Sequence, residues 1–248
     1  MRYLILSDIH ANVEALTAVL KHAGGRYDEI ACLGDLVGYG ADPNEVVEWV
    51  RGTKAVKSVI RGNHDKACCG LDSIEDYNGA AQASSLWTAD ALSEDNLEYL
   101  RELPGGPRDG GGFDIVHGSP VDEDEYIIST QDAAEARPAL DSAVTFFGHT
   151  HLQGGFFFRR NLPKQIEQVP RKWTELTISI DDQSTFLLNP GSVGQPRDGD
   201  WRSAYAIYAV DDRMVTYHRV EYDVAEARRR IIEAGLPTVL GDRLRVGK

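Results

Sequence analysis

Between Tyr3 and Phe147 the chain repeats one pattern, in which a short apolar segment ends at a polar residue or a glycine and a loop follows. The apolar segments are rich in β-branched and aromatic residues, as is typical of buried strands. They cover residues 3–6, 29–33, 56–60, 113–116 and 144–147. Helical periodicity lies between several of them, over residues 12–21 and 43–50. Alternating strands and helices predict a layered α/β fold.

Residues 66–105 interrupt this alternation, because they contain no strand pattern. Two helices are predicted there, at about residues 77–91 and 93–103. Glycine- and proline-rich turns follow the second helix. We interpret the segment as a helical cap inserted into a single domain that spans residues 1–248.

Strand patterns return after His151 and continue almost to the end of the chain. They cover residues 156–158, 176–180, 185–188, 204–210 and 215–220. We expect them to form a second sheet that packs on the first. A helix over residues 224–234, ended by Gly235, is predicted to close the fold.

Composition and charge narrow the choice of partners. The chain has 248 residues and a formal net charge of −13, so its surface would repel a long phosphate polymer such as a nucleic acid. A small phosphorylated substrate is still allowed, since bound divalent cations reverse the local field. No apolar segment has the length of a membrane span, and Met1 leads directly into a strand rather than into a signal peptide. These features predict a cytoplasmic protein without a membrane partner, and they leave a homo-oligomer open.

The polar residues that end the early strands are all potential metal ligands. In an α/β sheet the carboxyl ends of neighbouring strands open onto one crevice, so residues far apart in sequence can converge there. A single histidine or aspartate at a strand end is usually a hydrogen-bonded polar residue or part of a turn. Seven potential ligands at five successive strand ends instead favour a metal site. These residues are Asp8, His10, Asp35, Asn63, His117, His149 and His151.

Spacing and donor type refine this prediction. Asp8 and His10 are two residues apart, as are His149 and His151, and in an extended segment such residues point the same way. Imidazole, carboxylate and amide oxygen together suit Mn²⁺, Fe, Zn²⁺, Co²⁺ or Ni²⁺. A structural zinc site would require thiolates. Cys32, Cys68 and Cys69 lack a metal-binding spacing and are expected to be free buried thiols.

Five short motifs in this region resemble those of the calcineurin-like metallophosphoesterases, and they occur in the same order. They are Ser7-Asp8-Ile9-His10, Gly34-Asp35, Gly62-Asn63-His64-Asp65, His117-Gly118 and Gly148-His149-Thr150-His151. A later turn, Asn189-Pro190-Gly191-Ser192, resembles the bacterial and archaeal branch of small phosphodiesterases. The resemblance implies a two-sheet β-sandwich flanked by helices, which agrees with the strands predicted above.

The resemblance also implies a binuclear centre bridged by Asp35. Asp8, His10, Asp35 and His151 would bind the first ion, and Asp35, Asn63, His117 and His149 the second. Two ions about 3.5–4 Å apart can share a water, lower its pKa and bind phosphoryl oxygens, so that a bridging hydroxide attacks phosphorus. We expect Mn²⁺ to be the preferred ion.

Five further residues are candidates for catalysis or substrate binding. His64 matches the family histidine that contacts the phosphate and protonates the leaving oxygen, and Asp65 either orients it or caps a helix. Asn12 faces the cleft or caps a helix. Tyr39 either stacks on the substrate or is a surface aromatic residue. Arg197 either binds a phosphate oxygen or pairs with a carboxylate.

Three functions are consistent with these residues. The first is hydrolysis of a small phosphodiester or phosphomonoester, nucleotide-like esters included, at a binuclear metal centre. The second is a protein serine/threonine phosphatase. The third is a non-catalytic metal-binding scaffold for protein interactions, since a eukaryotic retromer subunit resembles this fold and has lost part of the centre. The complete ligand set favours catalysis.

Overall fold

Two six-stranded sheets packed face to face form the centre of the molecule. The computed structural model describes all residues from Met1 to Lys248. The strands are β1 (Arg2–Leu6), β2 (Glu29–Cys32), β3 (Val56–Val59), β4 (Arg108–Asp109), β5 (Asp114–Ile115), β6 (Val144–Phe146), β7 (Gly154–Arg159), β8 (Leu162–Ile166), β9 (Glu175–Ser179), β10 (Ser184–Asn189), β11 (Ser203–Ala209) and β12 (Met214–Val220). The first sheet has the order β3-β2-β1-β11-β12-β9, and the second has the order β4-β5-β6-β10-β7-β8.

Helices cover the outer faces of both sheets. They are α1 (Val13–Ala23), α2 (Pro43–Gly52), α3 (Asn63–Cys68), α4 (Gly79–Ala91), α5 (Glu94–Glu102), α6 (Thr130–Ala136), α7 (Val224–Glu233) and α8 (Thr238–Asp242). Two short 3-10 helices, Arg137–Ala139 and Arg243–Arg245, follow α6 and α8. No helix has both the length and the apolar character needed to cross a bilayer.

The residues of β1 show how the layers are held together. Side chains alternate between the two faces of a strand. Leu4 and Leu6 therefore pack into a core between the first sheet and the helices, whereas Tyr3 and Ile5 pack into the core between the two sheets. On the other side of the molecule, Leu187 of β10 joins a third, smaller core beneath α6. Three cores between four layers confirm the predicted helix-flanked sandwich.

The predicted division of the strands between the sheets was wrong. We expected the strands before His151 to form one sheet and those after it to form the other. Instead β11 pairs with β1 in antiparallel fashion and carries β12 and β9 into the first sheet, while β5 and β6 lie in the second sheet beside β10. Such pairings are long-range, and a local pattern of apolar residues does not encode them.

The segment 66–105 contains two helices, as predicted, and they extend the helical layer of the first sheet. Leu92 and Leu100 belong to the core between that sheet and its helices. Tyr77, in the loop before α4, lies beside the strand-end residues described below. The strand β8 was missed because it contains Pro163, and proline is tolerated there since β8 lies at the edge of the second sheet.

Candidate metal centre

The candidate ligands converge at the carboxyl ends of strands from both sheets. Asp8 follows β1, Asp35 follows β2, and Asn63 is the first residue of α3 after β3. These three strands are parallel and therefore end at the same edge of the first sheet. The second sheet contributes His117 after β5, and His149 with His151 after β6, which is parallel to β5. The ligands that were predicted to converge therefore come from both sheets.

The loops that carry these side chains are not extended, so the predicted reason for the two-residue spacing was wrong. Five of the seven candidates have left-handed backbone conformations with φ between +50° and +63°, namely Asp8, His10, Asp35, His149 and His151. Such conformations cost on the order of 1 kcal/mol or more for residues other than glycine and concentrate at functional sites. Tight left-handed turns, rather than a pleated strand, aim these side chains inwards.

Two glycines allow the loops to approach each other closely. A Cβ atom at Gly62 would overlap with the carboxylate of Asp35, and one at Gly148 would overlap with the hydroxyl of Ser7. A larger residue would push the Asn63 loop away from Asp35, or the His149 loop away from Ser7 and Asp8. The glycines in these motifs are therefore required by the close approach of the loops.

The converging atoms form two groups that share Asp35. One group contains Asp8, His10, Asp35 and His151, the other contains Asp35, His117 and His149, and the ligand atoms of each group lie within 4.8 Å of one another. The Oδ2 atom of Asp35 lies 3.5 Å from Nε2 of His10 and 3.5 Å from Nε2 of His117. The carboxylate of Asp35 thus occupies a bridging position between the groups.

Asn63 lies next to the second group. Its amide nitrogen donates a 2.6 Å hydrogen bond to the hydroxyl of Tyr77, and its amide oxygen lies 3.3 Å from Nε2 of His117. The hydrogen bond to Tyr77 fixes the orientation of the amide, because only the NH₂ group can donate. The amide oxygen, which is the atom that can bind a cation, therefore faces the second group.

Backbone carbonyls fix the protonation of all four imidazoles. Nδ1 faces the carbonyl of Val37 in His10, of Leu33 in His117 and of Gln195 in His151, whereas Nε2 of His149 faces the carbonyl of Asp124. Since a carbonyl only accepts hydrogen bonds, the facing nitrogen carries the hydrogen. In His10, His149 and His151 the other nitrogen is left with its lone pair directed into the cluster, as in metal-binding histidines generally. The raised pKa of His117 keeps a proton on its Nε2 atom, which a cation would have to displace.

Comparison with known proteins identifies the family. The sequence profile of the calcineurin-like phosphoesterase superfamily domain matches residues 1–213. The chain belongs to this superfamily. Among its relatives is an uncharacterized protein of Methanocaldococcus jannaschii, which is 35% identical over 98% of this chain and 97% of its own length.

Two solved structures share the architecture of this chain. A metallophosphoesterase from Sphaerobacter thermophilus is 42% identical to this chain, with a TM-score of 0.86, and the match covers 100% of this chain and 99% of that protein. A hypothetical protein from Pyrococcus horikoshii has a TM-score of 0.78 at 24% identity, covering 100% and 98% of the two chains, and shows the same fold. Superfamily membership and the buried Asp/His cluster together indicate divalent metal binding.

Two features of the cluster fit bound cations. The Oδ2 atom of Asp35 is buried without any hydrogen-bond partner, although an unpaired buried carboxylate oxygen is costly. The Nε2 atoms of His10 and His151 lie 3.1 Å apart, and each carries a lone pair because the hydrogen is on Nδ1. Lone pairs facing each other at this distance repel unless a cation lies between them.

The charges within the cluster agree with this interpretation. Burial lowers the pKa of His10 and of His151 well below its usual value, so both rings are neutral at pH 7 and able to bind a cation. Burial also lowers the pKa of His149, to about 3. Burial acts against the charged forms of both Asp35 and His117, but the attraction between them raises the pKa of His117 to about 10 and holds that of Asp35 well below its usual range. Asp35 is therefore a carboxylate, as a bridging ligand must be.

His64 lies beside the cluster, but Asp65 does not orient it. The ring of His64 is 5.1 Å from that of His10, and its Nδ1 atom is buried without a partner. The carboxylate of Asp65 instead accepts hydrogen bonds from the backbone of Leu36, Val37 and Gly62. Asp65 thus caps α3 and ties it to the Asp35 loop, which is the alternative role that the sequence left open.

The three predicted substrate contacts have different positions. The side chain of Asn12 caps α1 through Ala15 and donates to the carbonyl of Gly194, which is the helix-capping alternative that the sequence left open. Tyr39 is buried rather than exposed on the surface, and its ring centroid lies 4.3 Å from that of His64. Arg197 forms no ion pair and donates to the hydroxyl of Tyr39 at 3.2 Å.

Sequence reasoning missed three residues at the site. Tyr77 binds Asn63, the ring of Tyr126 stacks on His149 with 4.0 Å between centroids, and Arg243 lies over the ring of Tyr39. Tyr77 and Tyr126 line a cavity of about 370 Å³ together with Tyr39 and His64. None of the three belongs to a motif, and no local signal distinguishes them from surface residues.

The turn at residues 189–192 holds the ligand loops in place. The side-chain amide of Asn189 donates to the carbonyl of Gly148 and to the hydroxyl of Thr150, on either side of His149. The hydroxyl of Ser192 donates to the carbonyl of Asp8. This motif therefore joins the ligand loop of the first sheet to that of the second.

Proposed function

We propose that this protein is a binuclear metal-dependent phosphoesterase. The observation that carries the proposal is the position of Asp35, whose carboxylate belongs to both groups of ligand atoms and has one oxygen without a hydrogen bond. Asp8, His10 and His151 would complete the first ion site with it. The second ion would be bound by Asp35 together with Asn63, His117 and His149.

The proposed cations would supply the central chemistry. Two divalent ions at these positions would lower the pKa of a water and offset the charge that develops on the phosphoryl oxygens. Mn²⁺ is the ion we expect, and Fe, Zn²⁺, Co²⁺ and Ni²⁺ suit the same donors. The contribution of the chain would be to hold four imidazoles and one bridging carboxylate in fixed orientations.

His64 is proposed to act on the leaving oxygen. Burial lowers its pKa to about 4, so the neutral ring would first donate an N–H hydrogen bond to the substrate phosphate. A bound phosphate places negative charge beside the ring and raises its pKa, which favours the protonated form. His64 could then transfer a proton to the departing alkoxide or phenoxide.

The neighbouring cavity favours a small substrate. Its volume of about 370 Å³ and its aromatic walls, formed by Tyr39, Tyr77 and Tyr126, suit a small organic phosphate with a flat group. We propose a phosphodiester, including nucleotide-like esters, with phosphomonoesters as the next choice. A phosphoprotein would have to fit its phosphorylated side chain between the same aromatic residues, which makes the protein phosphatase the weaker alternative.

The competing function from another class is a metal-binding scaffold without turnover. All seven candidate ligands and His64 are present, so nothing in the ligand set points to lost catalysis. The two functions predict different results in one assay. Metal-loaded protein is incubated with bis(p-nitrophenyl) phosphate, p-nitrophenyl phosphate and a phosphoserine peptide, and bound metal is counted on the same sample.

The expected result is two ions per chain and faster release of nitrophenol from the diester than from the monoester. Asp35→Asn serves as the negative control. No turnover with Mn²⁺, Co²⁺, Ni²⁺ or Zn²⁺, at full metal occupancy, would favour the scaffold. Preferential hydrolysis of the peptide would favour the protein phosphatase, and a firm ratio of one ion per chain would remove the bridging role of Asp35.

A further inference from the structure

Two arginines meet on the ring of Tyr39 beside the candidate metal centre. The guanidinium carbon of Arg197 lies 5.7 Å from the ring centroid, and that of Arg243 lies 4.6 Å from it. Arg197 comes from the loop after β10, whereas Arg243 begins the last 3-10 helix of the chain. Residues almost fifty positions apart thus bring two cationic groups to one aromatic side chain.

Neither arginine is neutralised by the protein. Two other arginines of low exposure do pair with carboxylates, Arg202 with Asp200 and Arg219 with Asp198. Arg197 and Arg243 form no ion pair and share only a neutral acceptor, the side-chain oxygen of Gln195. The Nε atom of Arg243 is buried without a hydrogen-bond partner. In a chain with a net charge of −13, two adjacent unpaired arginines are a local excess of positive charge.

The pair is held in place next to the ligands. The backbone N–H of Arg197 donates to the carbonyl of His151 at 3.3 Å. The next residue, Asp198, is bound by the fully buried Arg219. The ring of Tyr39 lies 4.6 Å from that of His10, and Tyr39 also lines the cavity of the site. The two guanidinium groups therefore lie against Tyr39, one aromatic ring away from a proposed metal ligand.

We infer that Arg197 and Arg243 form a second anion subsite, which binds an anionic group of the substrate other than the phosphate that is hydrolysed. Guanidinium groups bind phosphoryl oxygens through paired N–H donors, and an unpaired buried Nε atom is a donor available for this purpose. The inference rests on the proposed function and narrows its substrate class. The favoured substrates carry a second phosphoryl group joined to the phosphate that is hydrolysed, as nucleoside diphosphates do.

Calorimetry with two ligands that differ by one phosphoryl group tests the subsite. Metal-loaded protein is titrated with AMP and with the non-hydrolysable α,β-methylene analogue of ADP, at one fixed concentration of free metal ion. Wild-type protein should bind the analogue at least tenfold more tightly than AMP, since hydrogen bonds to charged groups contribute about 1.5–3 kcal/mol. Arg243→Gln should lose most of this preference while its affinity for AMP stays unchanged.

Two further variants separate anion binding from positioning of Tyr39. Arg245→Gln removes an exposed charge from the same 3-10 helix and should leave the preference intact. Arg243→Lys keeps a charge without the planar fork and should restore part of the preference. If Arg243→Gln and Arg243→Lys weaken AMP and the analogue equally, Arg243 only positions Tyr39 and the inference is wrong. An unchanged preference in Arg243→Gln would also overturn it.

The outcome is distinguishable from failure of the proposed function. Hydrolysis of bis(p-nitrophenyl) phosphate does not require a second anionic group, so wild-type protein and the control variant Arg245→Gln should hydrolyse it at similar rates. Turnover of this ester without any preference for the analogue would refute the subsite alone. A clear preference without turnover of any ester would refute the proposed function and retain the subsite.

Discussion

Tyr77→Phe tests whether the helical insert positions a metal ligand. The substitution removes only the hydroxyl that accepts the 2.6 Å hydrogen bond from the amide nitrogen of Asn63. Without that acceptor the amide is free to turn, and its oxygen no longer faces the second group of ligands. A hydrogen bond of this kind contributes about 1 kcal/mol, and 1.4 kcal/mol corresponds to a factor of ten in affinity. We expect the second ion to bind about fivefold more weakly.

The first ion provides an internal reference. Its proposed ligands do not include Asn63, so its affinity should stay unchanged in Tyr77→Phe. Competition with a chromogenic chelator gives the two stepwise dissociation constants. Tyr99→Phe is the matched control, because Tyr99 belongs to the same insert and its ring contacts Arg51 rather than the site. Equal weakening of both ions, or no change in either, would refute the positioning role of Tyr77.

The remaining predictions concern the bridge, the proton donor, the metal ions and the core. Asp35→Asn should weaken both ions by more than a hundredfold and abolish turnover, while circular dichroism shows an intact fold; retention of either ion would contradict the bridge. His64→Ala should lower kcat at unchanged metal content, and metal loss in this variant would show that the residue is itself a ligand. Urea titrations with and without a chelator can measure how much the ions stabilise the fold. For each ion whose free concentration is a hundredfold above its Kd, chelation should lower the free energy of unfolding by about 2.7 kcal/mol. Tyr217→Phe removes the buried hydroxyl that donates to the carbonyl of Gly154, and it should lower the free energy of unfolding in urea by about 1–2 kcal/mol. Tyr208→Phe is the control: this buried tyrosine loses no hydrogen bond, so the free energy of unfolding should change by less than about 0.5 kcal/mol.

The sequence by itself determined the strands and the residues that gather at their ends. Short apolar segments are local features, and each candidate ligand directly follows one of them or lies within a few residues. The motif around Asn63 could therefore be assigned to the site from its position along the chain alone. The same holds for the helix cap at Asn12, because capping depends on residues within one turn.

Pairing between distant segments was decided only by the tertiary structure. The strands β1 and β11 are about two hundred residues apart, and β11 brings β12 and β9 into the first sheet. Local apolar patterns are the same for either sheet, so they could not predict which sheet a late strand would join. The sequence could not predict the left-handed turns at Asp8 and His149 either, since neither residue type requires that conformation.

The supporting residues of the site depend on the same long-range packing. Tyr77 reaches Asn63 from the insert, and Arg243 reaches Tyr39 from the last turn of the chain. Asp65 could cap its helix or orient His64 by local chemistry alone, and only the approach of the Leu36–Val37 backbone decided between them. The sequence thus determined which groups carry the chemistry, because their types and spacing are local. The fold decided what each of them contacts, because those contacts join segments that lie far apart along the chain.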